Sequence, residues 1–392
     1  MFKQLASVLE SSRTLLERCR PVGRTEPISL DLGLRRVLSC DITSPVNLPG
    51  FNRAAMDGYA VKSEDTRGAS LLNPVYLDLG DEGGQSRCAP VRTGMPVSEA
   101  FDAVVMKEDV VLREDLLEIS AEVHPHKNLA QIGEDVKESD LVFEEGHVLR
   151  PPDIALLASL GMDQAEVWKQ PRVAIIPTGS ELAPSLSGQK LRPGQAYETN
   201  GIMADLYVRS WGGLPLQAPI VEDDPAQIKE AIMANQEADL ILLTGGTSVG
   251  EKDYVPPAVA ELGEILAHGV RLSPGKPTAL GFVDETPVVC LPGYSVAALA
   301  ALFLFVRPLV KKLAHLRDDP SRVKAMLAEK IVSRPGYITF ARVILDGDRA
   351  TPIMTTGAGI LSSVAKAGGY VLVPEEMEGI EADKIVEVNL IE

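Results

Sequence analysis

From residue 171 onward, short apolar runs alternate with amphipathic stretches, and this alternation constrains the fold more than any other feature. PRVAIIPTGSEL reads as a buried strand ending in a Thr-Gly turn, NGIMADLYVRSWG as a helix, and LPLQAPIVED as a strand. PAQIKEAIMANQEA follows as a helix, ADLILLTGG as a strand, VPPAVAELG as a helix and TPVVCLPG as a strand. SVAALAALFLFVRPLV closes the series as a helix. Elements of these lengths in this order predict a three-layer α/β domain with a mainly parallel sheet over residues 171–316. Ligands of such sheets bind beyond the carboxyl ends of the strands.

The flanking regions have a different texture. Residues 1–44 start as an amphipathic helix, with Leu5, Val8, Leu9, Leu15 and Leu16 on one side, and then become extended. Residues 45–140 carry short strand-like runs, PVYLDLG, DAVVMKEDVVL and LLEISAEVHP, between turn signals. PPDIALLASLGM, within 141–170, is a helix that opens on proline and stops at Gly161. The 45–140 stretch therefore reads as a β-rich module inserted into an elongated domain made of 1–44 and 141–170. Residues 317–392 return to short strands (KAMLAEKIVSR, YITFARVIL, GGYVLVP, KIVEVNLIE) and predict a small β-barrel-like domain.

Composition narrows the function classes. A formal charge of −17 argues against nonspecific binding to nucleic acid or to an anionic membrane. It leaves room for a small anionic substrate, because a few cations and clustered backbone N–H groups outweigh distant charge locally. The cysteines, Cys19, Cys40, Cys88 and Cys290, are widely spaced and lack a C-x-x-C pair, which suits free thiols in a reducing compartment. The N-terminus carries charges throughout and lacks a signal peptide's apolar core. The most apolar run, Val296–Val306, is far shorter than the ~20 residues that span a bilayer. The expected location is cytoplasmic.

Polar and glycine residues gather where the strands of the α/β region end. The first strand gives Thr178-Gly179-Ser180-Glu181, and a later one gives TGGTSVGEKDY over 244–254. Gly245 and Gly246 allow close backbone approach to a ligand, and Ser248 with the N–H groups near Gly250 can cradle an anion. Glu251 and Asp253 follow, and a phosphate beside carboxylates implies a bridging divalent cation. Lys276, in SPGKP, is a natural counter-charge for phosphate. Each piece also has a plain reading: Gly-Gly as a turn only, Glu181 and Asp253 as solvated acids at helix starts. Asp57, in LPGFNRAAMDGYAV, reads on its own as the first residue of an Asp-Gly turn. The coincidence of suitable groups at several strand ends favours a site. No G-x-x-x-x-G-K-[ST] or G-x-G-x-x-G sequence is present.

An ordered set of motifs resembles the molybdopterin molybdenumtransferases, the MoeA/gephyrin-type molybdenum insertases, over nearly the whole chain. It comprises LPGFNRAAMDGYAV, VRTGMPVSEAFDAVVMKED, NLAQIGEDVKESD, GHVLRPPDIALLASLG, TGSEL, GQAYETNG, VEDDP, TGGTSVGEKDY, SPGKP, LPG and TTGAGILSSVAKAGGYVLVP. The resemblance implies four domains and an elongated homodimer in which Asp57 acts across the interface. It implies Mg²⁺-dependent hydrolysis of adenylated molybdopterin, release of AMP, and insertion of molybdenum from molybdate into the dithiolene. Glu181, Asp223 and Asp253 would hold Mg²⁺ or position water. Gly245, Gly246, Ser248 and Gly250 would bind phosphate. Lys276 would neutralise charge, and Asp57 and Thr93 would act at the dithiolene or molybdate end. Pro292, Gly293, Tyr294 and Ser362 would also line the substrate site. The implied partners are a second copy, the molybdopterin adenylyltransferase and molybdoenzyme apoproteins.

Four positions depart from the family pattern. Ser180 stands where Asp is usual in Thr-Gly-Asp-Glu-Leu, and Ser273 where a lysine is usual before Pro-Gly-Lys-Pro, with Arg271 as the nearest substitute cation. Leu-Pro-Gly-Asn-Pro becomes LPGYS, with Tyr294 and Ser295. An active insertase is the first reading; a paralogue that carries the cofactor or scaffolds partners without turnover is the second. A nucleotide pyrophosphatase would need the same α/β cradle but not the β-rich module.

Overall fold

The computed structural model describes residues 5–80, 85–246, 254–353 and 360–391. The chain divides into two compact units, residues 27–167 and residues 1–26 with 168–392.

The larger unit is built on a six-stranded sheet. Its strands are β1 (Arg172–Pro177), β2 (Leu214–Gln217), β3 (Leu240–Thr244), β4 (Glu264–His268), β5 (Ala279–Val283) and β6 (Thr286–Leu291), in the spatial order β2-β1-β3-β6-β5-β4. The β2-β1-β3-β6 run is parallel and the β6-β5-β4 edge is antiparallel. Because β1, β3 and β6 are covered on both faces, they are almost wholly apolar, and their side chains alternate between two cores. Val173, Ile175, Leu240 and Leu242 meet Ala204, Val208, Phe305 and Leu309 on one face. Ala174, Ile176, Ile241 and Leu243 meet Ile228, Ile232, Val255 and Val259 on the other. The covering helices are α2 (Asn200–Ser210), α3 (Pro225–Ala234), α4 (Val255–Leu262) and α5 (Ser295–Ala301). The last continues through a π-type turn, Leu302–Val306, into Arg307–Leu313.

The N-terminal helix α1 (Val8–Arg18) starts on Ser7, whose hydroxyl accepts from Glu10 N–H at 3.5 Å. It differs from the sequence reading in its neighbours. Val8, Leu15, Cys19 and Val22 are buried in the same core as Phe282 and Phe305 of the α/β region, while Leu9 faces solvent. Ala6 N–H donates to Gly269 O and Arg271 N–H to Ala6 O. The apolar stripe covers the sheet-side helices of the α/β region. Its period showed that a face was buried, not against what.

The C-terminal strands Arg322–Leu327, Ile338–Asp346, Arg349–Pro352, Gly369–Val373 and Ile385–Leu390 form a second sheet. Ile338–Asp346 pairs with both Arg349–Pro352 and Gly369–Val373, so the sheet closes on itself around Val343, Val371, Val373 and Val388. Closure leaves no long unpaired edge.

In the smaller unit, six strands (Gly58–Val61, Val75–Leu79, Arg87–Val91, Ala103–Met106, Val110–Arg113, Leu116–Ile119) make one sheet around Val61, Leu77, Cys88 and Leu117. A separate cluster, with Leu30, Leu38, Ile42, Leu149 and Leu157, packs the helix Pro151–Ser159. Asp153 fixes that helix's first turn: it accepts from Arg150 N–H and Nε at 2.9 Å and lies 2.8 Å from His147 Nε2.

Candidate functional site

Three adjacent parallel strands end at one pole of the larger unit, and each ends in a glycine turn. After β1 comes Thr178-Gly179-Ser180, after β3 Gly245-Gly246, and after β6 Pro292-Gly293-Tyr294. The chain leaves β1 for β2 on one side and then returns to β3 on the other, so β1 marks a topological switch point. There the diverging connections open a crevice. Thr178 N–H donates to Thr244 O at 2.8 Å, and Gly245 N–H to Leu291 O at 3.2 Å. Gly245 has φ +95°, and a Cβ there would sit 2.2 Å from Thr178 O, so no other residue fits without displacing backbone. A Cβ on Gly293 would come within 3.8 Å of Gly245 Cα, which puts the second and third turns in contact. Asn200, at the start of α2, donates from Nδ2 to Gly293 O at 2.8 Å and steadies the third turn.

The acidic residues join through Ser180. Its N–H donates to Asp223 Oδ2 at 3.2 Å, and its Oγ accepts from Asp223 N–H at 3.1 Å. Glu181 is exposed, and its carboxylate turns back over Gly179, with Oε2 3.0 Å from where a Cβ would stand. Glu181 and Asp223 thus rim the same crevice and offer the hard oxygen donors that Mg²⁺ prefers, bound through one or two carboxylates and several waters. Asp253, Ser248 and Gly250 lie outside the described residues. Among the described residues, no group of three acidic, His or Cys side chains is arranged to hold a metal.

Two cavities flank the turns. A volume of about 970 Å³ lies beside Gly179, Ser180 and Glu222, beneath the loop that runs from Leu182 to Glu198. Glu198 was not singled out in the sequence. Its buried carboxylate accepts from Gly201 N–H at 2.6 Å and closes the first turn of α2; burial pushes its pKa up, against the N–H groups of Gly201, Ile202 and Asn200. The signal was a Glu just ahead of a helix.

A second cavity, of about 320 Å³, lies between Ser273–Pro277, Pro292, Tyr294, Arg334 and Tyr337. Lys276 reaches this pole because β5 runs antiparallel to β6, so the loop entering β5 lies beside the end of β6. Arg271 does not stand in for the missing lysine at 273. Its guanidinium Nε is 3.0 Å from Glu375, and it lines a different cavity with Glu10 and Thr14. The second cation is Arg334, from the C-terminal region, poised over the Tyr337 ring at 4.8 Å. No local pattern marked it, since of its neighbours in the cavity only Tyr337 is near in sequence, and Ser273–Pro277, Pro292 and Tyr294 are remote. Ser362 is exposed at the start of the short helix Leu361–Ala365; Ser363 is the buried one and bonds Arg342.

Asp57 and Thr93 belong to the smaller unit. Thr93 donates from both N–H and Oγ1 to Asp57 Oδ1, each at 2.8 Å. These bonds hold the Asp57 carboxyl below its ordinary range, first through the Thr93 amide and then its hydroxyl, with Lys107 and Arg92 adding to the effect. Gly58 is not a turn residue. It opens the strand Gly58–Val61, and a Cβ would fall 1.8 Å from Val105 O.

Together these features define a multidomain α/β protein with an anion-suited crevice at the switch point of its parallel sheet and a closed β-barrel at its C-terminus. Family comparison matches the MoeA N-terminal region (domain I and II) at residues 6–161, a "Probable molybdopterin binding domain" at 174–312 and the MoeA C-terminal region (domain IV) at 324–391. Molybdopterin molybdenumtransferase 2 of Mycobacterium tuberculosis is 35% identical, over 98% of this chain and 99% of its own. The molybdopterin molybdenumtransferase of Haemophilus influenzae is 30% identical, over 97% and 98%. The crystal structure of a MoeA molybdopterin biosynthesis protein from Pyrococcus horikoshii superposes with a TM-score of 0.86 at 31% identity, covering 99% of both chains. The chain belongs to the MoeA family of molybdopterin molybdenumtransferases, a family of enzymes.

Proposed function

We propose that the protein inserts molybdenum into molybdopterin: it hydrolyses adenylated molybdopterin, releases AMP and transfers molybdenum from molybdate to the dithiolene. The observation that carries this reading is the meeting of three glycine turns with Asp223, Glu181 and a two-cation cavity at one pole of the sheet. The N–H groups around Gly245 and Gly246 bind phosphate oxygens, as fixed donors aimed at developing charge. Glu181, Asp223 and Asp253 would hold Mg²⁺, which would offset charge on the anhydride. The carboxylates also orient the attacking water. Lys276 and Arg334 receive molybdate, and Tyr294 and Pro292 shape that end. Ser362, from the C-terminal region, would add a further contact to the substrate.

Asp57, oriented by Thr93, serves the dithiolene and molybdate end of a second copy's site, so the working form is a homodimer. The division into 1–44 with 141–170, 45–140, 171–316 and 317–392 stays our proposal for the evolutionary modules, with the reservation that α1 packs on the α/β region. The adenylyltransferase and molybdoenzyme apoproteins are the proposed donors and acceptors, in the cytoplasm.

The test is AMP release from adenylated molybdopterin with Mg²⁺, with and without molybdate, by the native protein and an Asp253→Ala variant. Oxyanion-dependent release lost in the variant supports the reading. Tight binding without release overturns it in favour of a carrier or scaffold.

A further inference from the structure

Two of the four positions that depart from the family pattern, Ser273 and Tyr294, line one cavity, the space of about 320 Å³ that Lys276, Arg334 and Tyr337 also line. Ser273 ends the short strand Leu272–Ser273, which pairs in parallel with Ile338–Asp346, whereas Tyr294 lies in the turn leaving β6. The sequence gives no sign that they meet. The hydroxyls of Ser273, Tyr294 and Tyr337 make no hydrogen bond to any described residue, and Arg334 forms no ion pair with one. Tyr294 lines the cavity and is 68% exposed.

We infer that Tyr294 and Ser273 are the specificity-determining residues of this cavity, a tetrahedral-oxyanion site in which neutral hydroxyl donors take the place of a cation. The inference rests on the reading that this cavity receives the oxyanion. A hydroxyl donates to an anion without adding net charge, so part of the affinity becomes geometric and resists screening by salt. Lys276 and Arg334 line the cavity as its cations, and the exposed Tyr294 lines it as a neutral donor. Only an anion large enough to touch both gains the third contact. The Tyr294 hydroxyl therefore favours molybdate and tungstate over the smaller sulfate. No covalent step is involved; the residues bind and select.

The experiment is titration calorimetry of the full chain with molybdate, tungstate and sulfate, at low and high salt. Tyr294→Phe keeps the ring and removes the donor, and because the side chain is exposed the variant folds as the native chain does. The expected result is about tenfold weaker molybdate binding, with sulfate unchanged, so that the preference falls. Ser273→Lys is expected to tighten all three anions and steepen their salt dependence. Unchanged molybdate affinity and selectivity in Tyr294→Phe overturns the inference. Failure of the underlying reading looks different: Lys276→Ala and Arg334→Ala would then both bind molybdate as the native chain does.

Discussion

Thr93 holds one oxygen of the Asp57 carboxylate with two hydrogen bonds, from its amide and from its hydroxyl, each 2.8 Å long. Both donors favour the ionised form, and they do so at a side chain that stands exposed. An exposed carboxylate needs no such fixing for stability. The pair instead sets the direction and charge of Asp57 in advance of whatever it meets.

The pH consequence has a definite sign. Because the folded pKa is depressed, Asp57 stays ionised as pH falls until the lowered value is crossed. Thr93→Val removes the hydroxyl bond and keeps the amide bond, so the pKa rises part of the way toward its ordinary value. Carboxyl NMR titration of Asp57 should show this upward move, and the acid limb of the AMP-release profile should move up with it. An unmoved titration would mean that the hydroxyl bond contributes nothing in solution.

The glycine turns predict a contrast between two neighbours. Gly245→Ala forces a side chain onto a backbone with φ +95°, 2.2 Å from Thr178 O, and should cost about 2–4 kcal/mol of stability. Gly293→Ala meets nothing nearer than Gly245 Cα at 3.8 Å, so its melting temperature should stay close to native. Denaturant unfolding of both variants checks this. Equal losses would show that the turns are not packed as described.

Ser180 should matter through Asp223. Ser180→Ala leaves the amide bond to Asp223 Oδ2 and removes the acceptor for Asp223 N–H. Mn²⁺, used as a spectroscopic substitute for Mg²⁺, should bind several-fold more weakly, while Ser180→Thr restores the native value. Unaltered Mn²⁺ affinity in Ser180→Ala would remove Ser180 from this role.

Arg271 and Lys276 are five residues apart and have opposite expected effects. Arg271→Gln breaks the half-buried bond to Glu375, costs no more than about 1 kcal/mol, and leaves oxyanion binding as it was. Lys276→Gln should weaken oxyanion binding. Calorimetry and unfolding on the two variants separate the roles.

Asp153 provides a purely structural pH test. The Arg150 side chain first, then His147 and the Arg150 amide, hold this buried carboxyl far below its ordinary value of 3.8. Its stabilisation is therefore full above the unfolded-state pKa and is lost as pH falls through the folded one. Asp153→Asn should lower stability at neutral pH by about 1–3 kcal/mol and flatten the loss of stability toward acid. Urea unfolding between about pH 3 and pH 7 measures both.

The local pattern determined the element types, because strand and helix periods are set by near neighbours. PRVAIIP, ADLILL and TPVVCL are apolar on both sides and so belong to covered strands, and the glycines at their ends mark turns. The motif order carried the family. Asp57-Gly58 was legible as a residue pair, but its turn reading failed, since only strand pairing brings Val105 O against Gly58. The tertiary structure alone decided that α1 covers the α/β region, that Arg271 turns to Glu375, and that Arg334 supplies the second cation beside Lys276. It also decided that Ser273 and Tyr294 share a cavity. Each of these depends on contacts between segments far apart in the chain. A one-dimensional pattern records which face of a segment is buried or charged; which distant segment answers it is fixed by packing the whole sheet, barrel and helices at once.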